Sequence, residues 1–392
     1  MRDPGACGSI GTPRILGHTN KLSWRDRCRA VGDRLLASPR FQQLATAFPL
    51  TRPVARRRTR ALFDLCAGFV YSQILLACVR LRLCEILMEG PQTVAGLSAR
   101  LSLSNDATAR LLSAAAALRL AEHRDRDRFG IGPLGAALAG NPAIGALVEH
   151  HSLLYGDLAE PVSLLRGSNR DTVLSGYWPY ARAEQPRALA ADEVAGYSAL
   201  MAASQSLIAT EILAAYPLAR HRRLLDVGGG DGRFALAATS AWPDLQVMVF
   251  DLPAVAERAN ERFSSAGVSV RATACGGDFF IDPLPAGADL ISLVRVLHDH
   301  DDEHALKLLR AVRRVLPADG TLLLAEPMAG PSTAAPIGAY FGFYLLAMGS
   351  GRPRTVEEVR DLLCQAGFTR VKAIRTRQPL LVSLIAAECN DR

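Results

Sequence analysis

From residue 223 onward the chain alternates between short apolar runs and stretches with a helical period. Runs at 223–227, 246–250, 268–274, 288–294 and 320–325 are bounded by turn residues and read as buried strands. Segments at 231–241, from about 254, and at 302–316 read as helices. The last opens on acidic residues, which suit the positive end of a helix dipole. This alternation predicts a mostly parallel sheet covered by helices. The end differs: a helix at 355–366 leads to two strands, 368–376 and 379–389. Their connection is too short for a crossover, so they must pair antiparallel.

The N-terminal half has no such alternation. "ALFDLCAGFVYSQILLACVRLRLCEIL" at 61–87 reads as one or two helices, apolar on most faces. Its most apolar run, 62–79, is broken by Asp64 and Gln73, which predicts a buried or subunit-interface helix over a membrane span. Residues 93–132 read as helix, turn, helix and a charged hairpin tip at 123–128, the outline of a winged helix. A DNA-reading helix needs side chains that reach bases and phosphates. The helix near 105–118 offers one Arg among Ala and Leu, which favours a packing or dimer module. Residues 141–215 are helical with breaks at Pro161, Pro179 and Pro186, and the last helix covers about 187–215. Three segments result: a basic, flexible 1–60, a helical 61–215 and an α/β 216–392.

Composition changes this picture at one place. The chain of 392 residues has a net charge of +7, yet residues 1–60 hold 13 Lys and Arg against 3 Asp and Glu. The basic character belongs to that segment, which includes "RPVARRRTR" at 52–60 and could meet an anionic membrane surface. Eight scattered cysteines form no CxxC pair, so neither a metal site nor a disulfide framework is expected. The first 30 residues lack an apolar run, so no secretory signal is expected, and the expected place is the cytoplasm.

The candidate chemistry gathers at the strand ends. "DVGGGDG" follows the first strand, with Asp226 at the strand end. Gly228 and Gly230 fit the first two places of a dinucleotide loop, but Arg233 stands at the third. Asp251 ends the second strand, where a carboxylate accepts from both ribose hydroxyls; the alternative is a helix cap before Leu252 and Pro253. In "GGDFF", Asp278 suits an adenine amine and Phe279 its ring face, or else a turn and a core ring. His298 emerges past the fourth strand into the same crevice.

The motifs D-V-G-G-G-D-G, F-D-L-P, G-G-D-F-F, V-L-H-D-H, "LLLAEPM" and "SGRPRT" followed by "LLCQAGF" stand in the order and spacing of a known family. They resemble the large S-adenosylmethionine-dependent O-methyltransferases, the plant caffeate type and its bacterial relatives, over about 61–390. "ALFDLCAGFVYSQILLA", "HHSLLYGDLAEPVSLLRG", "GYWPY" and "FYLLAMGSGRPRT" resemble the branch acting on hydroxyneurosporene or demethylspheroidene, with bacteriochlorophyllide methyltransferases as the rival branch. The resemblance implies a class I methyltransferase sheet, mostly parallel with one antiparallel strand, behind a winged-helix dimerisation domain, and hence a homodimer. It implies S-adenosylmethionine at Asp226, Gly228, Gly230, Asp251, Leu252, Asp278 and Phe279. His298 would be the general base, flanked by Asp299 and Glu326.

Three positions depart from the plant pattern. The Lys four residues before the histidine is Val294, with Arg295 beside it as the cation at the cofactor. The second carboxylate aligns with Pro353, which leaves the histidine one carboxylate partner. The Asn that grips a phenol aligns with Met348, on a segment lined by Tyr340, Phe341 and Tyr344. Loss of polar grips implies a long apolar substrate, a carotenoid methylated on its 1-hydroxyl. A phenolic or tetrapyrrole substrate, and a DNA-binding cofactor sensor, are the alternatives.

Overall fold

The computed structural model describes residues 23–167, 171–177, 205–330, 335–379 and 381–389. Pro179, Pro186 and most of the expected helix 187–215 lie outside these, and Gln205–Ala215 is its described end. The chain divides between Gln73 and Ile74, inside the helix Arg52–Arg80, into two compact units.

In the first unit, residues expected to be weakly structured form helices Trp24–Ala37 and Pro39–Ala47. Ser23 caps the former by accepting from the Asp26 N–H at 3.2 Å, and Pro39 opens the latter with its φ already helical. No residue of either helix is buried. The helix Arg52–Arg80 is long and apolar enough to cross a membrane by length and composition. Its expected burial is also not found: Leu62, Phe63, Leu65, Phe69 and Val70 are exposed, and only Leu76 and Cys78 are buried.

In the second unit, β1 (Gln92–Thr93), β2 (Ala121–Arg124) and β3 (Arg128–Ile131) form a small antiparallel sheet, order β1-β3-β2. It packs with helices Leu83–Met88, Val94–Leu101 and Asn105–Ala117 around Leu83, Leu87, Leu97, Leu112 and Phe129. Thr93 and Ser104 cap the latter two helices. Arg110, the one basic residue of the helix Asn105–Ala117, pairs with Asp106 at 3.1 Å on the same helix.

The large sheet follows: β4 (Arg223–Val227), β5 (Gln246–Asp251), β6 (Ala272–Gly276), β7 (Leu290–Val294), β8 (Thr321–Glu326), β9 (Arg370–Ile374) and β10 (Ser383–Glu388). Its order is β6-β5-β4-β7-β8-β10-β9, parallel except that β10 runs antiparallel to both β8 and β9. Strand β6 starts four residues later than the apolar pattern suggests. Residues 268–271 form a turn instead, closed by the Arg271 N–H donating to Val268 O at 2.8 Å. Leu224 and Leu225 point to opposite faces. One face packs under helices Asp302–Val315 and Val356–Gln365, the other under Gln205–Ala215, Arg233–Ala241 and Pro253–Ser265. The order reverses between β4 and β7, and the crevice outside their carboxyl ends is where open α/β sheets hold ligands.

Candidate active site

The loop after β4 is built for close approach. Gly228 has φ +69°, and a Cβ there would meet Val296 Cγ2 at 2.7 Å. A Cβ on Gly230 would meet nothing within 4 Å, so the outer side of the loop is open. Asp226 lies behind the loop, fully buried, accepting from Ser292 Oγ of β7 at 2.6 Å, and its Oδ2 has no hydrogen-bond partner. Burial pushes its carboxyl up to about 7. It braces the crevice from below.

Asp251 accepts from the Gly230 N–H and the Leu252 N–H, both at 2.8 Å. It therefore ties β5 to the glycine loop and does not cap the following helix, whose cap residue is Leu252 with no side-chain bond. Burial pushes Asp251 up to about 6, against those two bonds. Its carboxylate is half-buried and keeps lone pairs for a pair of hydroxyls. Asp278 Oδ1 accepts from the Phe280 N–H at 2.8 Å, a turn role that leaves Oδ2 for a donor from outside. Phe279 stands edge-on to Phe280 and His300, with centroids 4.7 and 5.7 Å apart. An open glycine loop, a carboxylate fixed by two backbone N–H groups and an acid beside an aromatic ring together offer the contacts a nucleoside needs.

The candidate reacting centre is the turn Leu297–Asp299, just past β7. His298 Nδ1 lies 2.5 Å from Glu326 Oε2, at the end of β8. Glu326 Oε1 accepts from the Val296 and Leu297 N–H groups at 3.0 and 2.7 Å, so this carboxylate holds both the turn and the ring. The expectation of one carboxylate partner is corrected here. Asp299 folds back across the turn and places Oδ1 3.1 Å from His298 Nε2. Burial opposes charge on His298, but Asp299 and Glu326 overcome it and hold the imidazole above its ordinary range. Burial likewise pushes Asp299 up to about 6. Arg295 takes a left-handed φ of +59°, and its N–H donates to Ala325 O at 2.8 Å. Its charge is felt at His298, Asp299 and Tyr340.

The residues of "SGRPRT", 350–355, clamp this turn, a role the motif's residue types do not announce. Each carbonyl from 297 to 300 accepts a hydrogen bond from residues 350–354. Arg354 donates to Leu297 O and His300 O at 2.8 and 2.7 Å, the Arg352 N–H to His298 O at 2.9 Å, and Ser350 Oγ to Asp299 O at 2.9 Å. Gly351 has φ +80°, and a Cβ there would lie 2.2 Å from His298 O, so no other residue lets the two segments touch.

The clamp continues the helix Ala335–Met348, the expected pocket wall. Phe341 stands edge-on to His298 with centroids 5.9 Å apart. Tyr344 and Met348 are buried behind it. Two residues that sequence reasoning passed over complete the wall: His151 Nε2 bonds Tyr340 OH and His150 Nε2 bonds Tyr344 OH, both at 2.8 Å. Burial pushes His150 down to about 4, lowers His151 as well, and pushes the Tyr340 phenol up to about 12, each toward its uncharged form.

Known proteins match this architecture along nearly the whole chain. The O-methyltransferase domain family matches residues 157–369, and the O-methyltransferase dimerisation domain matches 63–140. Demethylspheroidene O-methyltransferase of Cereibacter sphaeroides is 43% identical over 91% of this chain and 94% of its own. Acetylserotonin O-methyltransferase of Mus musculus is 36% identical over 82% of this chain and 87% of its own. Among solved structures, human N-acetylserotonin methyltransferase in complex with SAM superposes with a TM-score of 0.69 at 25% identity, covering 85% of this chain and 98% of that one. CalO1, a methyltransferase of calicheamicin biosynthesis in its SAH-bound form, gives 0.72 at 26%, covering 85% and 98%. The chain belongs to the S-adenosylmethionine-dependent O-methyltransferases that carry a dimerisation domain ahead of the catalytic sheet.

Proposed function

We propose that this enzyme methylates the 1-hydroxyl of an acyclic carotenoid; two relatives, at 43% and 41% identity, are named demethylspheroidene O-methyltransferase. The observation that carries the reading is a buried imidazole fixed by Glu326 and faced by the ring of Phe341. The wall beyond it packs Tyr344 and Met348 with Leu154, Leu164, Leu174 and Leu345, an apolar cluster that suits a hydrocarbon chain ending in a hydroxyl.

Gly228, Gly230, Asp251, Asp278 and Phe279 would hold the cofactor, and when bound there it supplies an electrophilic methyl group on its sulfonium. Everything else falls to the chain. The Glu326 carboxylate accepts from Nδ1–H of His298, which makes Nε2 the atom that takes a proton. A tertiary alcohol is too weak an acid to ionise first, so its proton passes to Nε2 as the new C–O bond forms. The imidazolium produced lies between Glu326 and Asp299, and both carboxylates stabilise it. The clamp at 350–354 keeps the ring from drifting, and a positioned base of this kind contributes about 10²–10⁴-fold.

The enzyme works as a homodimer in this reading. The dimerisation-domain match and the exposed Leu65, Phe69 and Val70 on the helix Arg52–Arg80 support it. It works in the cytoplasm at the face of the inner, photosynthetic membrane, where such a substrate dissolves. His298→Ala tests the assignment: turnover falls by about 10²–10⁴-fold with cofactor affinity unchanged. Retention of most turnover removes the base from His298.

A further inference from the structure

The exposed apolar surface of the first unit falls into two parts with different chemistry. Leu65, Phe69 and Val70 lie inside the matched dimerisation domain, which begins at residue 63. The second part precedes that domain. On the helix Trp24–Ala37, Trp24, Cys28, Val31 and Leu35 recur at the spacing of one helix face. Trp24, Val31 and Leu35 are 77%, 58% and 52% exposed. At about 100° per residue, Arg27 and Arg34 flank this stripe on one side, Arg25 and Arg29 on the other, and Asp26 and Asp33 sit at the opposite pole. The helix Pro39–Ala47 repeats the pattern with Phe41, Leu44 and Phe48, all exposed. Between residues 23 and 60 the only charged side chains are ten arginines and two aspartates.

We infer that helices Trp24–Ala37 and Pro39–Ala47 lie in the plane of an anionic membrane surface, with their apolar stripes among the acyl chains and the arginines on the headgroups. This deepens, and rests on, the proposal of a membrane-dissolved substrate. An amphipathic helix with Trp, Leu and Phe on one face and Arg beside them is the pattern of interfacial helices. At 14 and 9 residues, broken at Ser38 and Pro39, neither helix spans a bilayer, which takes about 20. A second copy of this chain is the poorer partner. A two-fold contact sets each patch against itself, and the five arginines of the two helices against two aspartates then repel. Nucleic acid would complement the arginines but give the apolar stripe nothing to enter.

Full-length protein without substrate is tested by sedimentation with vesicles of phosphatidylglycerol or of phosphatidylcholine. The inference expects binding to the former only, weakened by salt, with a blue shift of tryptophan emission that Trp24→Phe removes. Leu35→Asp with Leu44→Asp, both at exposed positions, abolishes binding. Arg29→Gln with Arg34→Gln, beside the stripe on Trp24–Ala37, weakens it about 30-fold, from about 1 kcal/mol per basic residue at the surface. Wild-type vesicle binding by the Asp variant overturns the inference. So does a fall to monomer in that variant, which assigns the stripe to a second copy, or equal binding of the Asp variant and wild type to duplex DNA. Turnover on detergent-dispersed carotenoid is measured separately. Its absence alongside vesicle binding removes the substrate reading and leaves the surface standing, and the converse result removes the surface alone.

Discussion

Replacing Glu326 by Gln tests the active site through a single atom. Glu326 Oε1 accepts from two backbone N–H groups, and Oε2 faces His298 Nδ1. In Gln the carbonyl oxygen must stay with the two backbone donors, so the NH₂ group faces Nδ1. An amide NH₂ only donates, which forces Nδ1 to accept and moves the ring proton to Nε2. His298 then has the wrong tautomer and no free lone pair toward the substrate. The expected loss in kcat is about 10²–10⁴-fold, or about 3–5 kcal/mol of transition-state stabilisation. Stability changes less, because the two backbone bonds survive and a costly buried carboxylate is removed. Cofactor affinity, read by calorimetry, stays at the wild-type value, since Glu326 does not reach the glycine loop. Methyl transfer is followed by product formation under saturating cofactor. Turnover within about three-fold of wild type would falsify the tautomer argument and with it the role of Nε2.

Further outcomes follow from the same geometry. The raised pKa of His298 means that its base form appears as pH rises, so kcat/KM climbs through a midpoint above 6.5; Asp299→Asn, which removes a raising charge, moves that midpoint down. An unmoved midpoint separates Asp299 from the titrating group. Asp251→Ala weakens cofactor binding roughly 10- to 100-fold by removing a charged acceptor, and a calorimetric Kd near wild type contradicts the ribose role. Arg354→Lys keeps the charge but cannot reach Leu297 O, His300 O and Asp302 together; kcat falls with the cofactor Kd unchanged, whereas an unaltered kcat and pH profile makes the clamp merely structural.

The sheet was legible because a strand buried on both faces is a short apolar run, as at Leu290–Val294, where all five residues are buried. The cofactor loop was legible because glycine and a terminal carboxylate are chemical requirements carried in the residue types. Other parts depend on geometry that no local pattern carries. Asp299 meets its neighbour's ring only because the turn after β7 is a tight one. The clamp acts through the carbonyls of 297–300, which every residue possesses. His150 and His151 find their tyrosines 194 and 189 residues away. The first two helices were misread because arginines interleaved with Trp24, Val31 and Leu35 resemble a solvated leader unless the helix face is traced.

Product mass spectrometry tests the central claim most directly. Purified enzyme and S-adenosylmethionine are incubated with detergent-dispersed 1-hydroxy acyclic carotenoids, a set of phenols and bacteriochlorophyllide. A methyl ether on the carotenoid hydroxyl is expected, and none on the others. Methylation of a phenol or tetrapyrrole, with the carotenoid returned unchanged, contradicts it.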